Sequence, residues 1–258
     1  MIQTVKGWTF VLVTSLVLFG VLLRRGLILQ QAFGRLSRSE AQVREQLQLQ
    51  ATHARACEQA YRDTVLRLRR ACEFRDWITG AHLGRVSAYV RVLCQELGVD
   101  PSQSDLMSMA AGMHDLGKIA IPDEILHKPG PLSEKEWEQM RRHVTIGSDL
   151  LGGSPSELLA LAAQIARSHH EHWDGTGYPS ALKGEQIPLC GRIVMLADVY
   201  DVLRSERPYK PAYSHPHAFR VLMEGDDRTL PSHFDPAVLA AFARVHGDFA
   251  RIHDTLQD

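Results

Sequence analysis

Five imidazoles and two carboxylates in this sequence could do chemistry together: His82, the pair His114-Asp115, His143, the pair His169-His170, and Asp198. Imidazole is both a common metal ligand and a proton carrier near neutrality, and histidine is plentiful here, at 13 of 258 residues. Taken singly, each position reads as a helix cap or a satisfied core group. Taken together they resist that reading, because Met113, Ile119, Ile165, Ile193, Val194 and Leu196 flank them. Polar groups in such apolar segments are costly unless they share a partner, and a metal centre would satisfy the whole set.

Seven side chains exceed the six positions of one octahedral ion, the geometry suited to Mn or Fe with nitrogen and oxygen ligands. Two divalent transition-metal ions sharing one carboxylate fit better. With Asp115 and a hydroxide both bridging, the set fills about ten of twelve positions and leaves roughly one per ion for phosphate oxygens. The chemistry this points to is two-metal hydrolysis with the bridging hydroxide as nucleophile. The four cysteines, Cys57, Cys72, Cys94 and Cys190, form no CxxC pair, which argues against a disulfide framework or a cysteine-rich structural zinc site.

The elements that must position these groups are helical. Val86, Tyr89, Val90 and Leu93 form one apolar stripe, and Leu106, Met109, Ala110 and Met113 another, at spacings of three and four. No alternating strand pattern of useful length appears. Turn chemistry falls at 98–101, 128–131, 152–155 and around 175–188. The predicted fold is an all-α bundle with one long glycine-rich loop.

Upstream, Gly7 to Leu23 carries no charge, and a membrane-crossing helix needs about 17–25 apolar residues. Arg24, Arg25, Arg35 and Arg38 follow it, against Lys6 before it, which orients the remainder of the chain to the cytoplasm. Trp8 suits an interfacial aromatic. The span is read as a single-pass anchor in a bacterial inner membrane rather than a cleaved signal, since no small-x-small cleavage site follows. Residues 35–70 favour an uninterrupted helix. Placing Leu36, Val43, Gln50, Cys57 and Thr64 at one heptad position puts Leu47, Ala54, Tyr61 and Leu68 at its partner, a half-apolar seam that leaves open a parallel homodimer or one solvated helix whose arginines face lipid phosphates. The formal net charge of −1 gives no case for binding a nucleic-acid polymer.

At this point the motifs carry a family resemblance. His114-Asp115 with Gly117-Lys118, and then the run from His169 through Glu171, Asp174, Gly175, Gly177, Tyr178 and Pro179, resemble the HD-GYP family. The likeness continues through Ile121-Pro122-Asp123, Lys128-Pro129-Gly130, Met140 to His143, Ala197 to Asp201, Arg207 to Lys210 and His233 to Pro236. It implies an HD-domain helical bundle that cleaves cyclic di-GMP to pGpG, in some members on to GMP, with iron or manganese. The seven positions above match the family's metal ligands. By resemblance Lys118 grips phosphate, Gly177 and Tyr178 wall the pocket, and Asp201, Arg207 and Lys210 contact the ligand. Proteins with GGDEF domains are implied partners. The organisation this predicts is an anchor over 1–25, a helical linker over 26–70 and an HD-GYP hydrolase over 71–258.

Three positions depart from the family pattern. Ile78 stands where members with a third metal carry glutamate, four residues before His82, which predicts two ions and doubtful second-step cleavage to GMP. Val144 replaces a customary proline, and Asp226 to Pro231 replaces a shorter glycine-rich turn. Two other readings compete: a silent cyclic di-GMP sensor or scaffold, which the intact ligand set disfavours, and a hydrolase of another cyclic dinucleotide.

Overall fold

The apolar stripes become the buried faces of helices. The computed structural model describes residues 2–73, 80–206 and 211–256, and every regular element among them is an α- or 3-10 helix. The chain divides into two units, Met1–Thr64 and Val65–Asp258.

The first unit is carried by α1 (Ile2–Glu73). Its described side chains from Thr14 to Thr64 are exposed, including the apolar run Leu16 to Leu23, where Leu16 is 65% exposed and Phe19 61%. An apolar helix with no protein cover calls for another apolar medium, and this one is long and apolar enough to cross a membrane by length and composition. The predicted heptad residues Leu36, Val43 and Leu47 are likewise uncovered. The side chain of Trp8 lies outside the described residues.

The second unit is built around α8 (Leu189–Arg204), whose buried residues run from Cys190 through Ile193, Leu196 and Tyr200 to Leu203. A helix buried on nearly all sides needs neighbours all round. They are α2 (Gly80–Glu96), α7 (Glu157–Ser168), α9 (His215–Glu224) and α10 (Pro236–Thr255). Helix α3 (Pro101–Ala111) packs on α2 and α7. The short α4 (Asp123–Leu126), α5 (Glu134–Arg141) and α6 (His143–Leu151) complete the unit, α6 lying against α7. Tyr89, Tyr200, Phe242 and Phe249 form its aromatic centre, Tyr89 stacked on Phe249 with ring centroids 4.4 Å apart. Each fully buried ring or large aliphatic of this kind stabilises the fold by about 1.5–3 kcal/mol.

Helix starts follow local chemistry. Asp100 caps α3 ahead of Pro101, Ser133 and Glu136 form a capping box on α5, and Asp235 caps α10 ahead of Pro236. Each satisfies a backbone N–H that would otherwise lack a partner. The predicted breaks all appear as turns or irregular segments. The departure at 226–231 closes on itself: Gly225 adopts φ +93°, and Asp226 accepts hydrogen bonds from Arg228 N and Thr229 N at 2.8 and 2.7 Å. Val144 is simply a buried core residue of α6.

Candidate metal centre

Two close approaches bring the predicted groups together. Between α3 and α4 a 3-10 turn, Leu116–Ala120, lies against α6. A methyl group at Gly117 would overlap the His143 carbonyl, so only glycine lets the His114-Asp115 turn meet the start of α6. Likewise a methyl at Gly191 would overlap the Ser168 side chain, which seats α8 tightly on the end of α7. His169 closes α7, His143 opens α6, and His82 and Asp198 face each other from α2 and α8.

The seven candidate ligands fall into two groups. Asp115, His143, His169 and His170 each offer one atom, all within 4.8 Å of one another, and so do His82, His114 and Asp198. Asp115 joins the two. Its Oδ1 lies 3.3 Å from His143 Nε2 and 3.7 Å from His169 Nε2, while its Oδ2 lies 3.3 Å from His114 Nε2. Asp198 Oδ1 sits 3.5 Å from His82 Nε2 and 3.7 Å from His114 Nε2.

Ring orientation fits a cation. The Nδ1 atoms of His114, His143 and His169 face the carbonyls of Ala111 (2.8 Å), Met140 (2.7 Å) and Ala166 (3.0 Å). The Nδ1 of His82 faces Asp201 Oδ2 at 2.8 Å. Each outer contact fixes the proton on Nδ1 and turns the lone pair of Nε2 inward, the arrangement usual for metal-bound imidazole. Inside, the Nε2 atoms of His82, His114, His143 and His169 and the Oδ1 of Asp115 are buried without a hydrogen-bond partner. Five such atoms around one space would be an expensive arrangement unless a divalent ion meets them.

The electrostatics differ from ring to ring. Burial pushes His143 down to about 4 and His170 well below the usual imidazole range, with neighbouring His169 and His143 adding to the effect. At His114 burial acts downward too, but the Asp115 and Asp198 carboxylates outweigh it and lift the ring to about 9. Burial opposes the ionised form of Asp115, yet Lys118 and His114 hold its carboxyl well below the ordinary range. Lys118 Nζ lies 2.7 Å from Asp115 Oδ2 and its side chain is 20% exposed, at the mouth of the site.

The glycine-rich loop forms a wall. A methyl at Gly177 would collide with the backbone of residues 170–172, Tyr178 N donates to the His170 carbonyl (3.0 Å), and the Tyr178 ring stacks on His170 with centroids 4.8 Å apart. The Arg141 guanidinium lies 5.2 Å from the Tyr178 ring centre and 5.9 Å from that of Trp137. Buried Glu171 clamps the loop from behind, accepting from Ser180 N (2.8 Å) and Leu182 N (2.9 Å).

Asp201 departs from its expected place among the ligand contacts. It is fully buried behind His82, where Arg85 Nε and Nη2 donate to its two oxygens at 2.7 and 2.9 Å and Tyr89 OH donates at 3.1 Å. One helical turn after Asp198, its side chain is turned to α2. Arg85, Tyr89 and Glu171 were not singled out from the sequence. A signal existed for the first two, since they follow His82 on one face of α2 and Arg85 is a charge within an apolar stripe. Arg207, Lys210 and Ile78 lie outside the described residues, as does the side chain of Glu73.

The HD-domain family matches residues 46–238, most of the chain. The chain belongs to the HD-domain family. Its HD domain carries the HD-GYP motif set, and it is similar over 207 residues, at 44% identity, to a cyclic di-GMP phosphodiesterase of Vibrio cholerae, covering 75% of this chain and 41% of that protein. A cyclic di-GMP phosphodiesterase response regulator of Xanthomonas campestris is 44% identical over 195 residues, 76% of this chain and 50% of that one. A 3'3'-cGAMP-specific phosphodiesterase 2 of Vibrio cholerae is 40% identical over 197 residues, 76% of this chain and 37% of that one. This chain thus spans half or less of the length of these relatives. Among solved structures, a cyclic GMP-AMP specific phosphodiesterase of V. cholerae superposes with a TM-score of 0.54 at 19% identity, over 76% of this chain and 51% of the other, which establishes the shared helical fold.

Proposed function

We propose that this chain is a membrane-anchored phosphodiesterase that opens cyclic di-GMP to pGpG with two divalent metal ions, iron or manganese. The observation that carries the proposal is the pair of ligand groups sharing Asp115, with unpartnered buried donor atoms turned inward. His143, His169, His170 and Asp115 would hold one ion; His82, His114, Asp198 and Asp115 the other. When bound, such ions supply Lewis acidity toward phosphate oxygens and a water acidic enough to act as nucleophile at neutral pH.

The chain's own groups do the rest. Lys118 sets a positive charge at the mouth of the site, where a phosphodiester must enter, and charge-assisted contact to phosphate is strong. Tyr178, stacked on His170 and backed by Arg141, walls one side. Arg207 and Lys210, which follow α8, are assigned to the ligand by resemblance. The organisation proposed is an anchor over 1–25, a linker over 26–70 and the hydrolase over 71–258, with the hydrolase on the cytoplasmic side. The exposed linker surface suits either a homodimer or contact with lipid, and a GGDEF-domain protein is a further proposed partner.

The names of the relatives support cyclic di-GMP as substrate, and the cGAMP-specific relative at 40% identity supports a hybrid cyclic dinucleotide as the second reading. The test is to load the full chain in detergent with Mn or Fe(II) anaerobically and to chromatograph the products from each dinucleotide. Accumulating pGpG with little GMP is the expected result. Faster turnover of cyclic GMP-AMP would favour the second reading. Binding of cyclic di-GMP without turnover of either dinucleotide would make the chain a sensor.

A further inference from the structure

Among these imidazoles His82 is held differently from three others. His114, His143 and His169 are oriented by main-chain carbonyls of their own segments, which no side-chain change can remove. His82 is oriented by a side chain, through Asp201 Oδ2 at 2.8 Å. Asp201 in turn is gripped by Arg85 through both carboxylate oxygens and receives Tyr89 OH and Ser205 Oγ. Arg85 continues outward, donating to Ser205 Oγ at 3.2 Å and to the Leu256 carbonyl at 3.1 Å beyond the end of α10.

From this we infer that Asp201, fixed by Arg85, is a positioning residue that holds His82 in the tautomer with a free Nε2 and so sets the affinity of the His82, His114, Asp198 group for its ion. Only an acceptor at Asp201 Oδ2 keeps the His82 proton on Nδ1. Asparagine can still turn its amide oxygen to Nδ1, whereas leucine offers no acceptor there and releases the proton to settle on Nε2, the atom that has to face the ion. Loss of such an outer partner typically costs about 10- to 100-fold in metal affinity. No side chain of this kind braces His143 or His169, so the effect falls on the ion of the His82 group.

The proposal rests on the metal reading above, and its test separates the two. The full chain in detergent is equilibrated at a series of buffered free Mn(II) concentrations, and ions per chain are counted by elemental analysis beside thermal unfolding followed by circular dichroism. Wild type should fill to two ions. Asp201→Leu should keep one at the same concentrations and regain the second only at roughly 10- to 100-fold more Mn(II). That variant leaves Arg85 buried without its counter-charge, which could weaken the fold. Arg85→Met with Asp201→Leu removes both charges together, and this double variant should show the same one-ion deficit. Recovery of the second ion in the double variant would mean that Asp201 matters for folding alone and would overturn the proposal, as would two ions at unchanged affinity in Asp201→Leu. A wild-type chain that takes up no ion at all would overturn the metal reading, and this inference with it.

Discussion

The two ligand groups share Asp115 but are assembled by different means. One draws on α6, the end of α7 and the turn after α3, and its His143 and His169 rings are braced by carbonyls three or four residues back in their own segments. The other needs α2 and α8 to meet across the unit and braces His82 through a buried Arg85–Asp201 pair. Both groups need tertiary packing, but in the first the His143 and His169 rings are oriented by their own main chain. In the second the His82 ring is oriented by a side chain from another helix, so it is the more open to adjustment.

Four perturbations would break or sharpen that contrast. Asp115→Ala removes the atom pair common to both groups, and hydrolysis should fall by roughly three orders of magnitude, the equivalent of about 4 kcal/mol of transition-state stabilisation. A steady-state rate comparison with wild type checks this. Stripping the ions with a chelator should come next: at free ion a hundredfold above Kd each site stabilises by about 2.7 kcal/mol, which lowers Tm by roughly 5–11 °C per site in a domain of this size. Calorimetric titration of the ions back should show two unequal steps if the groups differ as described.

Gly117→Ala should hurt the first group. The added methyl overlaps the His143 carbonyl, and forcing backbone apart costs about 1–3 kcal/mol, visible in the melt together with weaker binding at the His143 group. Smallest of all, Arg141→Ala removes an exposed guanidinium held over Tyr178. A contact of that kind is worth about 0.5–1 kcal/mol, so KM should rise roughly two- to fivefold while the ion count stays at the wild-type value.

Much of this was legible in the sequence because the chemistry is unforgiving. Imidazoles and carboxylates embedded in apolar helix segments have few stable explanations, and the all-helical pattern followed from stripes such as Val86, Tyr89, Val90 and Leu93, all now fully buried. The same reasoning was weaker where one residue type has two uses. Asp201 sits one helical turn from Asp198, and the family resemblance placed it on the ligand, but the direction of its side chain depends on Arg85, which comes from another helix. Glu171 looked like part of a motif, and its task, clamping Ser180 and Leu182 amides, is set by a loop conformation that no periodicity encodes. The approach of Gly117 to α6 is a tertiary fact of the same kind.

The central claim is that Asp115 joins two ions into one centre, and electron paramagnetic resonance of the full chain loaded with Mn(II) tests it most directly. The account predicts the spectrum of an exchange-coupled Mn(II) pair, lost in Asp115→Ala. A spectrum of isolated Mn(II) ions at full loading, unchanged by that substitution, would contradict it.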